Sequence, residues 1–177
     1  MKFIKTHIND VHIIEPEPHE DSRGMLRRHF CRREFRENGL MTDIKQCNVS
    51  ENNNKHTLRG FHYQLPPSGD SKVITCFKGH IYDIVVDLRR SSSTYLEWQA
   101  FEVNSDNRLS IYVPSGCANA FLTVVDDTWV FYYHSEYYVP NSEAGIRYND
   151  PYFDFKWPVN PDVISDKDLN IPDFSPV

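Results

Sequence analysis

Between residues 73 and 138 the chain is a succession of short apolar runs, each stopped by a turn signal, and this spacing constrains the fold more than any other feature. Residues 73–78 and 81–88 flank Gly79-His80 and predict a hairpin; residues 95–103 and 109–113 flank Asn104-Ser105-Asp106-Asn107. Pro114-Ser115-Gly116 marks another turn, and residues 121–125 and 128–138 predict a second hairpin across Asp126-Asp127. Many short strands at such spacing imply an antiparallel sandwich or barrel, with the jelly roll as the natural candidate. The 10 Tyr and 11 Phe, with 11 Pro against 7 Gly, favour strands and turns over a helical bundle.

Residues 11–16 read as a short strand ended by Pro16, and Glu20-Asp21-Ser22-Arg23-Gly24 as a turn. Residues 23–30 form an Arg-rich strand candidate. The best helix candidate is residues 32–38, stopped by Gly39. Residues 44–50 alternate, so that Gln46, Asn48 and Ser50 share one face of a strand, as a polar pocket or a wet sheet face would require. From Pro140 the chain is irregular but carries Phe153, Phe155 and Trp157, which predicts a segment 140–177 wrapped on the barrel. With no break in composition, the 177 residues are expected to form one domain, all-β with few short helices.

Charge and cysteine usage exclude several classes. With 25 acidic against 19 basic residues and no basic block, non-specific nucleic-acid binding is disfavoured. Cys31, Cys47, Cys76 and Cys117 form no C-x-x-C pair, there is no secretory apolar region, and no apolar run reaches membrane-spanning length. A cytoplasmic protein with free thiols and no membrane partner is expected. The histidines form neither H-x-H nor H-x-x-x-H, so no metal site is expected.

The chemistry concentrates in Arg59-Gly60-Phe61-His62-Tyr63-Gln64, followed by Leu65-Pro66-Pro67 and Lys72. An imidazole exchanges protons near neutrality, while a guanidinium and an ammonium bind anions or stabilise developing negative charge. If the first six residues are extended, Arg59, Phe61 and Tyr63 point one way and Gly60, His62 and Gln64 the other. A lone histidine in this setting reads as a half-buried residue satisfied by a backbone carbonyl; the guanidinium, ammonium, aromatic and amide neighbours of His62 argue against that reading.

Further segments recur in the same order along the chain: Asp21-Ser22-Arg23-Gly24, Asp83-Ile84-Val85-Val86-Asp87-Leu88-Arg89, Ser93-Thr94-Tyr95, Tyr112-Val113-Pro114-Ser115-Gly116, Tyr132 with Tyr137-Tyr138, Asn149-Asp150-Pro151, Trp157-Pro158 and Ile164-Ser165-Asp166-Lys167-Asp168. With the Arg59–Lys72 stretch, this set resembles the dTDP-4-dehydrorhamnose 3,5-epimerase family of nucleotide-sugar epimerases. The resemblance implies a cupin-type jelly roll (double-stranded β-helix) that works as a homodimer, without metal or other cofactor. Its implied substrate is a nucleoside-diphosphate 4-keto-6-deoxy sugar, inverted at carbon 3, carbon 5 or both by proton removal and return beside the ketone, in deoxysugar biosynthesis.

Residue by residue, the resemblance makes His62 the base, Asp168 the carboxylate that orients it, Lys72 the cation facing the enolate oxygen and Tyr132 the acid on the opposite face. It makes Arg23 and Arg59 diphosphate ligands, Gln46 and Asn48 secondary contacts, and Tyr138 an aromatic near the nucleotide. It also implies that the Arg23 segment, within an arm of residues 1–50 at the dimer interface, reaches the partner's site. Without the resemblance, Tyr132 reads as core among Trp129, Phe131 and Tyr133, and Asp168 as a surface carboxylate or helix cap.

Two departures bear on specificity. Ala118-Asn119-Ala120-Phe121 stands where the family has Ala-His-Gly-Phe; an amide at Asn119 can hydrogen-bond the sugar but cannot carry a proton. Leu26 and Arg28 stand where thymidine-specific members have an aromatic and an acidic residue, and Arg28 can only donate to a base. A cytidine or other non-thymidine nucleotide therefore becomes an option. The alternatives are a single-centre epimerase or ketoisomerase on a CDP- or GDP-sugar, a non-catalytic carbohydrate-binding jelly roll, and a metal-dependent cupin.

Overall fold

The computed structural model describes residues 1–176. In chain order the strands are β1 (Lys2–Lys5), β2 (His12–Glu15), β3 (His19–Asp21), β4 (Gly24–Leu26), β5 (Gln46–Asn52), β6 (Leu58–Gln64), β7 (Lys72–Lys78), β8 (His80–Asp87), β9 (Trp98–Asn104), β10 (Ser110–Val113), β11 (Cys117–Thr123), β12 (Thr128–His134) and β13 (Glu143–Gly145). Two short helices join them, α1 (Arg32–Glu37) and α2 (Asp166–Leu169).

Two antiparallel sheets face each other as a jelly roll, ordered β1-β2-β10-β7-β12-β5 and β13-β6-β11-β8-β9, with β3 and β4 as a separate hairpin. Both predicted hairpins of the middle region are absent. β7 joins β10 and β12 in the larger sheet, whereas β8 joins β11 and β9 in the smaller; β11 and β12 part in the same way. The jelly roll sends strands on either side of a tight turn to opposite sheets, and turn residues alone do not distinguish that corner from a hairpin. Gly79, at φ +86°, makes the first corner, where a Cβ would lie 2.3 Å from Thr128 Oγ1.

The expected strand over residues 23–30 shrinks to β4, and β1 pairs with β2 although no strand was expected there. Helix α1 ends one residue before its expected limit, with Gly39 at φ +72° beyond it.

The central strands β7, β8, β10 and β11 are covered on both faces over most of their length, which is why they read as nearly continuous apolar runs, whereas β1 and β5 at the edges of the larger sheet are largely exposed. Ile74, Val85, Ile111, Phe121 and Val130 fill the space between the sheets. Phe35 and Leu40 cover the outside of the larger sheet at Val73 and Tyr133. On the outside of the smaller sheet, Phe153 and Phe155 of the 140–176 segment pack on Phe61, Ile84 and Val86, with Phe61 and Phe155 stacked at 4.3 Å. Among the described residues no helix is long and apolar enough to cross a membrane.

Candidate active site

At one end of the barrel the two sheets splay around a cavity of about 640 Å³, within the ~300–1,000 Å³ range of small-ligand sites. Its walls come from β5, β7 and β12 of the larger sheet, β6 and β11 of the smaller, and the segment through α2.

β6 supplies the first wall, and it departs from simple alternation. Opposite β11, His62 pairs with Asn119 while Arg59 pairs with Phe121, so a three-residue step faces a two-residue step. This bulge turns Arg59 and His62 to the cavity together and leaves Phe61 buried behind the sheet, correcting the expectation that Arg59 shares the face of Phe61. Gly60 allows it: at φ +109° its backbone lies where a Cβ would be 2.5 Å from the Asn119 carbonyl oxygen.

His62 Nε2 lies 2.7 Å from Asp168 Oδ1, which assigns that ring nitrogen to the carboxylate and leaves the other to the cavity. Asp168 is held by the first turn of α2, where Ser165 Oγ accepts its N–H at 3.1 Å, and its second oxygen accepts the Gly60 N–H at 3.4 Å. Burial works to raise the Asp168 carboxyl; the hydrogen bond and charge of His62, with the hydrogen bonds at Gly60 and Ser165, together outweigh it and hold the group below the usual carboxylate value. The sequence reading of Asp168 as a surface carboxylate is excluded, since it is 4% exposed.

Lys72, the first residue of β7, is buried beside this pair and donates from Nζ to the His62 carbonyl oxygen at 3.3 Å. Burial lowers its pKa, against the charges of Asp70, Asp83 and Glu143. Asp83, on β8, is 0% exposed; its Oδ1 accepts Asn119 Nδ2 at 3.0 Å and its Oδ2 has no partner among the described residues. Burial pushes its carboxyl up to about 7, opposed by the Asn119 hydrogen bond and the Lys72 charge.

Tyr132 projects from β12, in the opposite sheet, with Asn48 of β5 and Ile74 of β7 as its neighbours in register. Burial, reinforced by the negative charge of Asp83, pushes its phenol up. His62 and Tyr132 therefore line the cavity from different sheets, with Lys72 as the buried cation of the same space.

Arg59, Gln46, Asn48, Asn119 and Tyr138 also line the cavity. Arg59 Nε donates to Asn52 Oδ1 at 2.8 Å, and Gln46 Oε1 accepts the Tyr138 N–H at 3.0 Å. Arg23 and Arg28 lie elsewhere: Arg23 pairs with Asp21 on the β3–β4 hairpin and Arg28 with Glu34 of α1, and neither lines the cavity of its own chain. That hairpin pairs with neither large sheet, which removes Arg23 from the barrel.

Five titratable cavity groups were given no site role by the sequence reading: Asp70, His134, Glu136, Glu143 and Lys167. Asp83 escaped it as a site group too, although a lone carboxylate inside the apolar run Ile81–Val86 was a usable signal; a buried charge needs a purpose or a partner.

The family model described as dTDP-4-dehydrorhamnose 3,5-epimerase matches residues 5–176. The dTDP-4-dehydrorhamnose 3,5-epimerase of Methanothermobacter thermautotrophicus is 38% identical over 173 residues, 96% of this chain and 92% of that protein. The crystal structure of the Bacillus anthracis dTDP-4-dehydrorhamnose 3,5-epimerase with TDP and PPi bound superposes with a TM-score of 0.94 at 34% identity, covering 98% of this chain and 99% of the other. ChmJ, a 3'-monoepimerase from Streptomyces bikiniensis in complex with dTDP-quinovose, gives a TM-score of 0.89 at 31% identity over 96% of this chain and 86% of its own. On the strength of a family match over residues 5–176 and this shared jelly roll, the chain belongs to the dTDP-4-dehydrorhamnose 3,5-epimerase family of isomerases.

Proposed function

We propose that the protein epimerises a nucleoside-diphosphate 4-keto-6-deoxyhexose, with dTDP as the nucleotide, at carbon 3, carbon 5 or both. The observation that carries this reading is the meeting of the Asp168-backed His62 with Tyr132 of the opposite sheet in one cavity that also holds Lys72. The 4-ketone acidifies the hydrogens on its two neighbouring carbons. His62 removes one of them, and Asp168 stabilises the resulting imidazolium. Lys72 faces the enolate oxygen, a contact of a kind worth roughly 3 kcal/mol or more in the transition state. Tyr132 returns a proton from the other face, which completes the inversion.

The polar residues Arg59, Gln46 and Asn48 and the exposed ring of Tyr138 suit a diphosphate and its nucleoside. We assign Arg23 to the site of a second copy, since its side chain, paired with Asp21, is 87% exposed and lies outside its own cavity. We take the working unit to be a homodimer of single-domain chains, acting in the cytoplasm. The dTDP-quinovose and TDP complexes of the two structural relatives support a thymidine nucleotide. Asn119, engaged with Asp83, offers no second proton carrier, and a relative of this fold is a 3'-monoepimerase; both favour one inverted centre over two.

Incubation with dTDP-4-keto-6-deoxyglucose in heavy water, read by NMR, tests the reading. Deuterium at carbon 3 or 5 with inversion is expected. Tyr132→Phe should keep exchange but lose inversion by about 100-fold or more; no exchange with the unsubstituted protein would refute the assignment. Calorimetry with dTDP, CDP and GDP checks the nucleotide, and tighter binding of CDP would overturn that part.

A further inference from the structure

A second imidazole–carboxylate pair lines the cavity on the Tyr132 wall. His134 Nδ1 meets Asp70 Oδ2 at 2.7 Å. The other oxygen of Asp70, a residue only 8% exposed, accepts the N–H groups of Ser135 at 2.9 Å and Glu136 at 3.1 Å and the Ser135 hydroxyl at 3.2 Å. Three donors on one oxygen fix the carboxylate, and the carboxylate fixes the ring. With Nδ1 so engaged, Nε2 is the nitrogen left for the cavity that His134 lines.

His134 and Tyr132 are two residues apart on β12 and so project from the same face. Their rings lie 5.8 Å apart, centroid to centroid, at an interplanar angle of 24°. In register His134 sits between Gln46 of β5 and Lys72 of β7. The charged groups facing it are thus Lys72, Asp70 and, from the following turn, Glu136.

We propose that His134, oriented by Asp70, recharges Tyr132 between turnovers. This rests on the reading of Tyr132 as the acid. Once the phenol has given its proton to the sugar carbon, the imidazolium Nε2–H returns one to the phenolate oxygen, directly or through one water, and Nε2 then takes a proton from solvent. Asp70 keeps its hydrogen bond to Nδ1 throughout. Protons balance: His62 gains one from the sugar and releases it to solvent, and the Tyr132 wall gives one up and recovers it through His134. The need for such a donor follows from the setting of Tyr132, half-buried against Phe121 and the apolar core, which makes a lingering phenolate costly.

The test compares His134→Gln, His134→Asn and Tyr132→Phe with the unsubstituted protein, on dTDP-4-keto-6-deoxyglucose in heavy water. Rapid quench with enzyme in excess reads the first inversion, and substrate in excess reads the steady state. For the His134 variants the relay predicts a first inversion within about twofold of normal, a steady-state rate lower by about 10-fold or more, and recovery on adding free imidazole. A steady state within twofold in a variant whose circular dichroism is native would overturn it. So would equal losses in both regimes without imidazole recovery, which is what a merely structural role produces. Full-rate inversion by Tyr132→Phe would instead sink the acid assignment, and the relay with it.

Discussion

Asn119 Nδ2 donates to Asp83 Oδ1 at 3.0 Å inside the barrel, and among the described residues this is the one hydrogen bond to a carboxyl that burial has pushed up to about 7. Between its ordinary value of 3.8 and about 7, the folded state keeps a proton on Asp83 that the unfolded chain has lost. Stability from this group is therefore complete below pH 4 and declines as the pH rises toward 7. Asp83→Asn, which preserves shape and the Asn119 contact, should flatten that decline by a few kcal/mol at most. Urea unfolding at pH 5 and pH 8 measures it; an unchanged difference between the two would show that Asp83 is ionised in the folded state.

Asp168→Asn keeps the size of the group that faces His62 but cannot stabilise an imidazolium. It should lower kcat by about 100-fold to 10,000-fold. Since the Asp168 carboxyl is held below its ordinary value, its stabilising effect is present above about pH 4 and is lost as the pH falls through the folded value. Acid unfolding of the variant should start from a lower stability and depend less on pH. Steady-state kinetics and acid titration together check both halves.

Lys72→Met retains the buried stem and removes the charge beside the His62 carbonyl. Loss of the group facing the enolate predicts a fall in kcat of about 100-fold to 1,000-fold. Affinity for dTDP should stay within about threefold, because the cation acts on charge that develops only during reaction. Calorimetry alongside kinetics distinguishes this from a lysine that merely binds phosphate, for which the affinity would collapse.

Gly60→Ala places a Cβ 2.5 Å from the Asn119 carbonyl oxygen at a φ of +109°. The β6 and β11 backbones would have to separate at the bulge that aims Arg59 and His62. A destabilisation of roughly 3 kcal/mol or more is expected, with activity falling beyond what the unfolded fraction explains. Urea midpoints and kcat on the folded fraction test the two effects separately.

The apolar runs and turn residues of the chain were enough to predict an all-β barrel, the positions of most strands and the short helix α1, because alternation and turn chemistry act over a few residues. The motif order brought out His62, Lys72, Tyr132 and Asp168 as a set. Sheet membership was not legible: Gly79-His80 and Asp126-Asp127 look like hairpin turns, and only the packing of one sheet on the other decides that they are corners. Nor was the facing of Arg59, since a bulge changes which side chains share a wall and depends on a partner strand some sixty residues away in the chain.

The side chains capable of acid–base and anion chemistry were thus determined by sequence alone, as was the secondary structure that carries them. Tertiary structure decided which of them meet: it joined His62 to Asp168 across 106 residues, buried Asp83 beneath Asn119, set His134 and Asp70 into the cavity and kept Arg23 out of it. The physical reason is one of range. Propensity and alternation are local, whereas hydrogen-bond partners, burial and the pKa shifts they cause come from groups far apart in the chain that only the closed barrel brings together.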